Sequence, residues 1–170
     1  MADRFPGEIH IGGTLRLADH DPDDIDLFLG ECSEQPTDWG EPSKREEVTL
    51  STISQVIDED TGFIIFRDDQ ARYGEFEELE ELCCRLDLSF NRSSDARYEH
   101  DGESARWRPG MERPLVEHAT QSGNPLIDRK RVEACLATLK AGRIQQGIKA
   151  LQDLVPKVAP LTRFEVDTGQ

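Results

Sequence analysis

The chain has 170 residues, 36% hydrophobic and 32% charged, and its 35 acidic against 20 basic side chains give a formal net charge of −15. That length suits one core-bearing domain with an appendage rather than two full domains, and that charge opposes condensation onto nucleic-acid phosphates or anionic lipid. The acidity is uneven: residues 1–102 carry 27 acidic and 9 basic side chains, whereas residues 103–170 carry 8 and 11.

The start Met1-Ala2-Asp3-Arg4-Phe5 lacks the basic segment and apolar stretch of an export signal, and no apolar run reaches about 18 residues, so a cytoplasmic location is expected. From Glu8 to Leu17, apolar residues alternate at Ile9, Ile11, Leu15 and Leu17 around Gly12-Gly13, which predicts a half-buried strand bulged at the glycines. Asp21-Pro22-Asp23-Asp24 then supplies an N-cap, a first-turn proline and two first-turn acids. Ile25, Phe28, Leu29 and Cys32 follow at helical spacing.

Residues 33–47 read as a long loop whose Trp39 tucks back onto the core, and Val48 to Ile57 alternates loosely enough to predict a strand. After the turn Asp60-Thr61-Gly62, the continuous run Phe63-Ile64-Ile65-Phe66 predicts a central strand covered on both faces. A helix opens at Gly74, with Phe76, Leu79, Leu82, Cys83 and Leu86 on one side and acids on the other. Leu88-Ser89-Phe90, Ala96 to His100 and Ser104 to Arg108 then suggest a small meander closed by Pro109-Gly110.

Strand plus acid-started helix occurs twice, which points to a split β-α-β, ferredoxin-like α+β sandwich. The expected division is an acidic α+β domain over residues 1–112 and a C-terminal helical segment over 113–170, packed on it or used for association. In that segment Asp128 caps a helix carrying Val132, Cys135, Leu136 and Leu139. A second stripe, Ile144, Ile148, Leu151 and Val155, is out of phase across Ala141-Gly142, so the helix breaks there; one half is expected to pack on the body and the stripe to mediate self-association as a homodimer. Pro156 and Pro160 end the helix, and Leu161 to Val166 suggests a final edge strand.

Candidate chemistry is sparse. The run Asp19 to Asp26 offers hard oxygen ligands, but Asp24 stands where a calcium loop needs glycine and Gly30 where it needs a bidentate glutamate, so helix capping is the better reading. His10, His20, His100 and His118 are dispersed, with no metalloprotease or nucleophile-elbow pattern. Cys32, Cys83, Cys84 and Cys135 lack zinc-ligand spacing, fall in predicted helices and read as small buried thiols. Arg106-Trp107-Arg108 reads as one inward ring between two outward charges, and Arg129-Lys130-Arg131 sits unfavourably at a helix start. No metal or cofactor is expected.

The largest charge concentration comprises Asp58, Glu59, Asp60, Asp68, Asp69, Glu75, Glu77, Glu78 and Glu81. A run of this kind keeps a protein soluble, yet it also steers a basic partner onto its surface. The expectation is therefore a small acidic non-enzymatic inhibitor. It would present carboxylates in place of phosphates to a basic, nucleic-acid-binding protein or nucleoprotein complex, without itself touching nucleic acid or membrane. The alternatives are an enzyme assembled from dispersed residues, with His10, His100 and Asp19 to Asp26 as first suspects, and an accessory subunit whose C-terminal helices dock into a larger assembly.

Overall fold

The computed structural model describes residues 3–38, 47–95, 101–120 and 124–169. Its centre is a long strand, β1 (Arg4–Arg16), flanked by β2 (Ile64–Arg72) and β3 (Ser89–Ser94); β4 (Gly102–Trp107) and β5 (Leu115–Ala119) extend the sheet in the order β2-β1-β3-β4-β5, every neighbour antiparallel. A sixth strand, β6 (Phe164–Asp167), pairs in parallel with Gly13–Arg16 of β1. The fold is thus α+β, a six-stranded sheet with four α-helices.

The alternation of β1 puts Ile9 and Ile11 on the core face, opposite Phe66 and Ile64 of β2 and beside Phe90 of β3. Two helices cover that face. The first, α1 (Pro22–Glu34), is capped by Asp21, whose carboxylate accepts from the Asp23 N–H, and buries Ile25, Phe28, Leu29 and Cys32. The second, α2 (Glu77–Arg85), buries Leu79, Leu82 and Cys83 and packs beside α1. Their apolar stripes and the sheet form one continuous core.

The glycines of β1 serve a different purpose from the expected bulge. The register irregularity lies between Phe5 and Gly7, whereas at Gly12-Gly13 the strand changes partner, from β2 and β3 to β6. Gly13 takes a positive φ of 104° and donates its N–H to the Thr162 and Arg163 carbonyls; a Cβ on Gly12 would collide with the Thr162 carbonyl oxygen. Only glycine permits that close approach.

Three further expectations need correction. Val48 to Ile57 is no strand: it contains a 3₁₀ turn, η1 (Ile53–Val56), because Thr49, Ser51 and Thr52 satisfy the local backbone and one another. The Ile64-Ile65-Phe66 run is buried on both faces as expected, but β2 stands at the end of the strand order; Pro36–Asp38 and Gln55–Ile57 screen Ile65 from the far side. Arg108 is buried instead of outward: its guanidinium donates to the Phe90, Trp107 and Ala159 carbonyls and to Asn91 Oδ1, while Trp107 joins the core as expected. Burial pushes the Arg108 pKa down, with neighbouring Arg106 adding to the effect.

The strand expected over Ala96 to His100 and the inward Trp39 lie outside the described residues. Beyond β5, α3 (Arg129–Lys140) and α4 (Ile144–Leu154) form an antiparallel hairpin that turns at Gly142, φ 76°. They pack on each other. Both β5 and β6, on either side of the hairpin, belong to the main sheet.

Candidate functional site

The α1/α2 layer turns its outer surface to solvent. On α1 the exposed positions include Asp23, Asp26 and Glu34; on α2 they are Glu77, Glu78, Glu81 and Arg85. Arg85 is the one basic side chain of either helix, and it is engaged by Asp24 across the helix pair at 2.6 Å. The result is a two-helix acidic face. Its α2 half was legible as a charge run. The α1 half reads in the sequence as a helix cap and an apolar stripe, although no Lys or Arg occurs between Arg16 and Lys44.

The nine carboxylates expected to meet a partner divide between two places. Glu77, Glu78 and Glu81 stand on α2, with Glu75 exposed just before it, while Asp58, Glu59, Asp60, Asp68 and Asp69 follow β2 and its preceding turn. Asp58 is tied into that turn: it accepts from the Thr61 hydroxyl at 2.7 Å and the Thr61 N–H at 2.8 Å, which together hold its carboxyl below the usual range. Asp68 likewise accepts from the Gln70 N–H at 2.8 Å. Glu80 points inward, to Arg92.

The opposite face of the sheet carries a polar cluster that periodicity alone did not announce. Glu8 and His10 of β1, Asn91 and Ser93 of β3, and Ser104 and Arg106 of β4 line a shallow depression of about 320 Å³. Glu8 is bonded by His10 through Nε2 and by Arg67 Nε at 2.7 Å, while Arg106 pairs with Glu117 of β5. His10, an enzyme suspect, is therefore here; His100 is outside the described residues, and Asp19 to Asp26 lies at the start of α1, away from this face.

The His10 hydrogen bond, helped by Arg67 and opposed by burial, holds the Glu8 carboxyl at about 2, against an ordinary 4.5. A carboxyl depressed in the folded state adds stability above its unfolded pKa and loses it as pH falls through the folded one. Urea midpoints are accordingly expected to fall more steeply for the wild type than for Glu8→Gln between pH about 5 and 2. Parallel profiles would show that the His10–Glu8–Arg67 group contributes nothing.

The stripe expected to self-associate lies on α4 and its C-terminal cap: Ile144 and Ile148 are exposed and Leu151 half-buried on the helix, and Val155 is exposed at the cap, while Gly147 and Leu154 turn inward. All four cysteines lie on helices, with Cys32, Cys83 and Cys135 buried and Cys84 half-buried. Burial raises the Cys83 thiol pKa well above the ordinary value and that of Cys84 to about 11, so neither is an activated nucleophile. Comparison with protein-family models, with curated proteins and with solved structures gives no match.

Proposed function

We propose that the protein is a small non-enzymatic binding protein whose acidic α1/α2 face engages a basic, nucleic-acid-binding protein, its carboxylates occupying a groove built for phosphates. The observation that carries this reading is the composition of the layer: two adjacent helices whose single basic side chain, Arg85, is already engaged by Asp24. A surface of one sign, held on rigid helices, raises the encounter rate with an oppositely charged partner and fixes its orientation. Inhibition follows where that partner's groove must otherwise take up nucleic acid. Such a partner places the protein's work in the cytoplasm.

The fold reading that accompanies it is a split β-α-β, ferredoxin-like sandwich. Its support is that β2 and β3, joined through α2, run in the same direction on either side of β1. The connection through α1 differs, returning the chain to an antiparallel neighbour.

The test is displacement of labelled duplex DNA from a panel of basic nucleic-acid-binding proteins at two salt concentrations. At low salt the protein is expected to release the DNA from at least one panel member, and raising the salt from about 50 to 300 mM to weaken that by tenfold or more. The triple variant Glu77→Lys, Glu78→Lys, Glu81→Lys is expected to lose the effect while keeping its fold. Salt-insensitive displacement, none at all, or full activity in the triple variant overturns the proposal.

A further inference from the structure

The α3–α4 hairpin leaves an apolar surface uncovered. On α4, Ile144 is 57% and Ile148 41% exposed, and Val155, just past its end, is 62% exposed; Ile148, Leu151 and Val155 line an open apolar groove of about 580 Å³ with Gln152 and Lys157. Exposed apolar ground of this extent on a charged protein marks an interaction surface. Its charged surroundings are mainly basic: Lys157 lines it, and Lys140, Arg143 and Lys149 are exposed on or beside α4, against one exposed acid of that helix, Asp153. The occupant must therefore combine an apolar centre with an acidic surround.

The same chain offers such a surface. Along the outer side of α1, the exposed residues Asp23, Leu27, Gly30 and Glu34 fall at i, i+4, i+7 and i+11, with exposed Asp26 beside them. Leu27 is 55% exposed, and a Cβ built on Gly30 meets nothing within 4 Å. Ile144, Ile148, Leu151 and Val155 repeat at the same i, i+4, i+7 and i+11. Ile144, Ile148 and Leu151 of α4 match Asp23, Leu27 and Gly30 of α1 side by side over about 10 Å of helix. The open position at Gly30 gives a bulky α4 side chain somewhere to insert beside Leu27. Lys157 at the groove then meets the acids around Leu27.

We infer that the α4 groove of one copy receives the outer face of α1 from a second copy, joining copies head to tail. Groove against groove would instead bring like charge to like, with Lys157 of each copy lining the joined grooves. A head-to-tail contact uses two different surfaces, so association continues until a ring closes or a filament forms. The inference does not depend on a foreign basic partner, although such a partner and the hairpin would compete for the same helical layer.

Sedimentation of the full chain tests it. At low salt the weight-average mass is expected to exceed the 19.2 kDa of one copy and to rise with concentration, and at high salt to fall back. Ile148→Asp and Leu27→Asp, at exposed positions on opposite sides of the contact, should each sediment as a folded monomer. Mixed in equal amounts they should form a dimer and stop there, because one intact groove and one intact α1 face remain. Lys149→Glu with Lys157→Glu, which leaves the apolar stripe untouched, should weaken association by about tenfold. A wild type that stays monomeric at all concentrations overturns the inference, and so does a mixture that stays monomeric. Association of Leu27→Asp as strong as wild type overturns it too, since groove would then be meeting groove. The DNA-displacement assay reads α2, so either proposal can fail while the other stands.

Discussion

Arg92→Met is expected to lower the unfolding free energy by about 3–5 kcal/mol at neutral pH. The Arg92 side chain is 3% exposed on the helix-covered face of β3; its guanidinium lies 2.8 Å from Glu80 of α2 and 2.5 Å from Glu103 of β4, and it donates to the Gly74 carbonyl. Truncating it strands Glu80, whose carboxyl is mostly buried and already held above the usual range by that burial, with Arg92 the main opposing influence. A carboxyl with a raised folded pKa contributes stability below its unfolded pKa and loses it as pH rises through the folded one. Without Arg92 the raise is larger, so the loss should be greatest at neutral pH and shrink on acidification as Glu80 takes a proton. The double variant Arg92→Met, Glu80→Leu should recover most of it, since no buried charge is then left alone. Urea denaturation of the three proteins at neutral and acid pH is the measurement. A single variant within about 1 kcal/mol of wild type would mean that the network is worth no more than a surface pair.

Phe28→Ala should cost about as much, roughly 3–5 kcal/mol. Phe28 is fully buried and stacks on Phe164 at 6.4 Å between ring centroids, so it locks α1 to β6. Against a total stability of about 5–15 kcal/mol, that loss should appear as a fall in Tm of roughly 6–20 °C. Amide exchange should quicken first in α1 and β6. Leu27→Ala, one residue away and exposed, should change stability by less than about 0.5 kcal/mol at high salt, where the copies are apart, which makes it the control. Equal effects from the two substitutions would contradict the packing described for α1.

What the sequence made legible follows the strength of its patterns. The cap and stripe of α1, the apolar face of α2 and the break of the C-terminal helices at Ala141-Gly142 are each set within a few residues, and each is present. Val48 to Ile57 misled because loose alternation cannot outweigh three hydroxyl side chains that bond to their own segment. The strand β5, with only Ala119 buried along its length, offers too little alternation to stand out beside Pro109 and Pro114. Charge runs located the α2 acids, but the inward turn of Glu80 depends on Arg92 arriving from β3. The cluster of Glu8, His10, Arg67 and Arg106 depends on strand register, which no local pattern encodes.

The pairing of β6 with β1 also sets an order on the life of the chain. Gly13 to Arg16 are synthesised early, yet the strand that completes their hydrogen bonding, Phe164–Asp167, emerges some 150 residues later, after the hairpin. Until then that stretch of backbone is an open template for any extended segment nearby. The same exposure returns if the hairpin is cut, because four paired residues and the stacked Phe164 are then held without a covalent tether on their N-terminal side. A nick between residues 129 and 157 would therefore release more than a pair of helices: it would convert the C-terminal part of β1 into an aggregation-prone edge.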